Sequence, residues 1–63
     1  MPRGGMFFGE RVVAAGLQQE TALNGAEGRV VGVGDGGQVL VMFDAPYGPR
    51  SLRPGNLLDP AAA

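Results

Sequence analysis

Apolar residues along this chain come in short runs of four to six, rich in valine and cut by glycine, proline, asparagine and aspartate, the pattern of brief strands joined by turns. No window keeps an apolar stripe at helical spacing for three turns. Gln18–Asn24 is helix-compatible in composition but too short to hold a helix alone, and reads as a loop with at most one helical turn. The clearest strand is Gln38–Asp44, where alternation puts Val39, Val41 and Phe43 on one face and Leu40 and Met42 on the other. Both faces are apolar, so either the barrel curls tightly enough to shelter Leu40 and Met42 or a partner covers them. The neighbouring valines Val12-Val13 and Val30-Val31 pose the same problem, because adjacent strand residues point to opposite faces.

The turns order these strands. Gly34-Asp35-Gly36-Gly37 is a hairpin signal, its Asp-Gly step suited to a type I′ turn, and it pairs Arg29–Val33 with Gln38–Phe43. Asn24-Gly25, with Gly28 shortly after, predicts a tight entry into the second strand. Asp44 is placed to cap the turn Ala45–Pro49, after which Arg50–Arg53 returns as a short strand. Pro54 ends the pairing, Gly55–Leu57 suits one short 3-10 turn, and Leu58-Asp59 closes the fold. The expected class is all-β: an SH3-like, partly open small barrel of four or five antiparallel strands with a short 3-10 turn before the last. Residues 6–59 would form the barrel, between a flexible 1–5 tail and a 60–63 C-terminal tail.

Length sharpens the problem of the two apolar faces. The chain has 63 residues, and a domain of this size buries only about 60% of the surface its unfolded form exposes. It has no cysteine, so no disulfide or thiolate metal site compensates. The expected staple is another protein surface, either a partner or a second copy. Leu40 and Met42 are the candidate contact residues, joined by Phe7 and Phe8 near the N-terminus. A net charge of −1 argues against nucleic acid as a partner, since such binders carry a basic stripe. No apolar run nears the roughly 18 residues of a spanning helix, so direct membrane insertion is not expected. No signal-peptide pattern opens the chain.

Catalytic chemistry is thinly supplied. Histidine is absent, leaving Thr21, Tyr47 and Ser51 without the usual activating base. The six carboxylates fall mostly in turns, with no spacing that suggests a metal site. Gly32-Val33-Gly34-Asp35-Gly36-Gly37 formally fits a dinucleotide fingerprint, but a strand follows where a helix is required. No cofactor and no catalytic residue is expected. The best site candidate is Tyr47 between two prolines with Arg50 and Arg53 nearby, a ring and two forked donors suited to a peptide or carboxylate-bearing partner. The same residues fit a structural role, in which Tyr47 closes the barrel end and the arginines pair with Glu10 or Asp59.

Three stretches also carry a resemblance: Leu23-Asn24-Gly25-x-x-Gly28-x-Val30-Val31-Gly32, then Val39–Phe43, then Ser51-Leu52-Arg53-Pro54-x-Asn56-Leu57. Over residues 11–59 the chain resembles a small SH3-like module recurring in algal and especially dinoflagellate proteins, with Gly55 where that family usually has Glu. The resemblance implies a non-enzymatic binding or assembly role. In outline the chain is also similar to the ferredoxin–thioredoxin reductase variable chain and to the PsaE subunit of photosystem I. These would imply an accessory subunit of photosynthetic electron transfer in the chloroplast stroma. The lysine-rich surface usual in PsaE is missing. Plasmid-type dihydrofolate reductases, oligomeric SH3-like enzymes, carry a Val-Gln-Ile-Tyr-Pro strand. Here Leu52 and Pro54 fit it, while Ser51 and Arg53 replace the functional Gln and Tyr, so the fold carries over and the activity does not. KOW-type ribosomal modules resemble the Gly28-x-Val30 region, against the acidic charge balance.

Overall fold

The computed structural model describes residues 8–62; Phe7 and the 1–5 segment lie outside them. Five strands, β1 (Arg11–Ala14), β2 (Glu27–Val33), β3 (Val39–Phe43), β4 (Gly48–Leu52) and β5 (Leu57–Leu58), form one antiparallel sheet in the order β4-β3-β2-β1-β5. The sheet curls into a half-barrel, and a 3-10 turn at Pro54–Asn56 precedes the last strand, as the turn residues predict. The single helical turn expected in the long first loop is a 3-10 turn at Thr21–Leu23. Residues before β1 lengthen its ladder, since the Gly9 amide donates to the Val30 carbonyl at 2.7 Å and the Val30 amide to the Glu10 carbonyl at 2.9 Å.

Alternation in β3 sorts its side chains as the pattern demands. Val39, Val41 and Phe43 are buried with Val12, Ala14, Leu23, Val30 and Leu57 in one core, while Met42 is exposed and Leu40 half-buried on the outer face. Of the valine pairs, Val30 points in and Val31 out. Val12 and Val13, in contrast, are both buried. Val13 lies outside the main core, and the C-terminal 3-10 turn Pro60–Ala62, in the stretch read as a tail, packs against β1. Part of the second face is thus covered by the chain itself.

Two local expectations need correction. Positive φ falls at Gly36 (67°) and Gly37 (78°), so the β2–β3 turn is centred one residue later than the Asp-Gly step suggests. The Gln38 amide closes it onto the Asp35 carbonyl at 3.3 Å. Two successive glycines meet the type I′ need for positive φ at lower cost than aspartate. Asp44 does not cap its turn by its side chain. That carboxylate accepts from Arg11 Nη2 at 2.8 Å, and the turn closes by the backbone, Tyr47 amide to Asp44 carbonyl at 3.2 Å. A bulge at Val31 shifts the β2–β3 register between Val30 and Gly32. Neither sheet edge invites a further strand: β5 has two residues, and Pro49 removes a donor from β4.

Gly28 sits opposite Phe43 where β2 and β3 approach most closely. A Cβ there would meet the Met42 carbonyl oxygen at 2.7 Å and the Phe43 Cα at 2.8 Å, neither of which can yield without moving β3. Gly28→Ala is expected to cost about 3 kcal/mol in urea unfolding followed by circular dichroism. Gly55→Ala, with nothing within 4 Å, serves as control, and its change should stay within about 1 kcal/mol.

Candidate functional site

The twelve residues between β1 and β2, 15–26, make a long loop that stands beside the β4 end of the sheet without a strand of its own. Leu23, fully buried, anchors it in the core. The Asn24 side chain clasps its neck, accepting from the Leu17 amide at 2.8 Å and donating to the Leu17 carbonyl at 3.1 Å. A second asparagine ties its base to the 3-10 turn. Asn56 Nδ2 donates to the Ala15 carbonyl and the Ala15 amide to the Asn56 carbonyl, both at 2.9 Å.

Tyr47 and Arg50 hold the far wall of the loop. Tyr47 packs its ring against the core and donates its hydroxyl to the Ala22 carbonyl at 3.3 Å. Arg50 places Nε at 2.7 Å and Nη2 at 2.6 Å from Glu20 Oε2. Its Nη1 donates to the Tyr47 and Pro49 carbonyls at 2.7 and 2.8 Å. Glu20 is left-handed, at φ 52°, the one non-glycine residue with positive φ among those described. The guanidinium fork fixes the side chain of a residue whose backbone is strained. The pairing expected with Glu10 or Asp59 is therefore not the one Arg50 makes.

Between this loop and the end of β4 runs a groove of about 600 Å³. Half-buried Leu17 and Leu52 form its apolar floor, and both pack on the core. Gln18, Gln19, Arg53 and Asn56 supply its polar rim. Of the three residues singled out as one patch, Arg53 alone is unengaged among the described residues, while Tyr47 and Arg50 are bound within the chain.

The outer sheet face carries the second set. Arg11 Nε pairs with Glu27 and its Nη2 with Asp44, each at 2.8 Å, in a fork that joins β1 to β2 and to the turn after β3. Beside it a concavity of about 410 Å³ is lined by Arg29, Val31 and Met42. Leu40 adjoins Gly32 across the ladder. Phe8 is exposed just before the strand ladder. Leu40 and Met42 were legible from alternation; Arg29 and Val31 join them only through the β2–β3 register. The groove walls, Leu17 to Glu20, carried no signal beyond a polar loop.

Fold and surfaces together define an all-β half-barrel of five antiparallel strands with two candidate contact surfaces and, among the described residues, no cluster of three or more acidic, histidine or cysteine groups suited to a metal ion. No helix among the described residues is long and apolar enough to cross a membrane. No protein-family model, curated protein or solved structure matches the chain.

Charge pairing shifts the ionisation of these groups. Hydrogen bonds from Arg50 hold the Glu20 carboxyl below its ordinary value, and Glu20 in turn raises Arg50. Asp44 first, then Glu27, raises Arg11. A depressed glutamate stabilises the fold at any pH above its ordinary value, and that contribution disappears as pH falls through the lower folded value. In a carboxyl NMR titration Glu20 should titrate at lower pH than in the unfolded chain. Arg50→Gln should return it to the ordinary range; an unchanged Glu20 curve in that variant would rule out the fork as the cause.

Proposed function

We propose that this protein is a non-catalytic interaction or assembly module, a small subunit that docks into a larger complex through the outer face of β2 and β3. One observation carries the reading. Val31 and Met42, 46% and 47% exposed, flank a concavity beside Arg29, whose side chain is unengaged among the described residues. An apolar patch rimmed by charge is what a protein partner covers. Two further features favour a face over an edge. The sheet edges are shortened or interrupted by proline, and Leu40 extends the apolar surface toward β4. The resemblance of the Leu23–Gly32 and Ser51–Leu57 stretches to SH3-like modules supports the same kind of role, as does the outline shared with accessory subunits of photosynthetic electron transfer.

The test is a double substitution on that face, Val31→Glu with Met42→Glu. Both residues are exposed, so the thermal melt should hardly move, with a change within about 1 kcal/mol. Light scattering should then show loss of any self-association, and cross-linking in native extract should show loss of the protein captured by the wild type. Equal capture by both forms overturns the outer face as the docking surface. A monodisperse tetramer that binds a nicotinamide cofactor would replace the non-catalytic reading with the reductase one.

A further inference from the structure

We propose that the groove between the first loop and the end of β4 binds an extended acidic peptide, with the carboxylate on Arg53 and an apolar side chain on the Leu17–Leu52 floor. The site lies on a different surface from the outer face and does not depend on it.

Charge decides the class of ligand. Two ionised side chains line the groove, Glu20 and Arg53. The charge of Glu20 is compensated by Arg50, whose Nε and Nη2 both sit on its Oε2, so it offers a basic peptide no net negative charge. Arg53 makes no ion pair or side-chain hydrogen bond among the described residues. The groove therefore presents one uncompensated guanidinium, whose planar donors suit a carboxylate.

Geometry decides the form of the ligand. The Arg53 backbone is fixed, because its carbonyl accepts from the Asn56 amide at 2.9 Å and Asn56 is itself tied to Ala15. The facing wall is fastened by Asn24, Tyr47 and Arg50, so both sides stand in place before a ligand arrives. A preformed site loses less ordering entropy on binding. Gln18 and Gln19 make no side-chain hydrogen bonds among the described residues, and their exposed amides can donate to and accept from an extended backbone. Leu17 and Leu52 lie half-buried between these polar groups, an apolar seat for one side chain. A compact anion such as phosphate would use Arg53 and leave that floor uncovered.

The experiment is an amide NMR titration of the full chain with three capped tetrapeptides, Ac-Leu-Glu-Leu-Glu-NH2 and its Gln and Lys counterparts. The acidic probe should move the amides of Gly16 to Glu20, Arg53 and Asn56. The Gln and Lys probes should bind more weakly, by up to about fivefold, the upper range for a partly exposed charge pair. Arg53→Gln should weaken the acidic probe by a similar factor with an unchanged melt, since Arg53 holds nothing else in place. The Val31→Glu, Met42→Glu protein should bind the probe as the wild type does, which separates this site from the docking face. The proposal is overturned by any of three results: no groove amide moves, the three probes bind equally, or Arg53→Gln binds like the wild type.

Discussion

The curl of this sheet depends on how closely β2 and β3 approach at Gly28. With the Met42 carbonyl and Phe43 Cα less than 3 Å from where a Cβ would stand, no other residue fits there without displacing β3. That approach folds the sheet over its own inner face, so Val41 and Val30 come together with Val12 from the neighbouring strand and Leu23 from the loop. A chain of 63 residues cannot supply a second layer. The core is therefore one set of side chains shared by every strand but β4, which contributes half-buried Leu52 from its margin.

What lies outside that layer is held by polar groups instead. The first loop has a single buried apolar anchor, and beyond half-buried Leu17 and backbone bonds at its base its path is held by two asparagine side chains, a tyrosine hydroxyl and one arginine. Such bonds are individually modest, and together they order a loop of this length without making it part of the core. The same division separates Tyr47, Arg50 and Arg53 in role. Tyr47 and Arg50 position the loop, and Arg53 faces outward from a backbone they do not touch.

How much of this was legible follows from the range over which each feature is decided. The burial of Val39, Val41 and Phe43 was readable because it rests on alternation within one strand. The hairpin was readable to within one residue, since both Asp35-Gly36 and Gly36-Gly37 can take positive φ and only the ladder chooses between them. The partner of Arg50 was not readable. Glu20 lies 30 positions away on a loop whose course depends on Asn56 reaching back 41 positions to Ala15. The burial of Val13 was missed for the same kind of reason, because it depends on where the C-terminal turn comes to rest. The groove belongs to this group as well: none of its walls has a distinctive residue, and it exists only through the path of the main chain.

Pro49 in one border strand and the two-residue length of the other have a consequence for stoichiometry. Strand-to-strand joining is open-ended, because each added copy exposes a fresh border for the next. Blocking both borders removes growth by strand addition. Contacts through faces and grooves close at a fixed count of subunits only where a surface pairs with its own copy or the rotation completes a ring, so the symmetry of the contact, and not the sheet border, sets how far assembly can go.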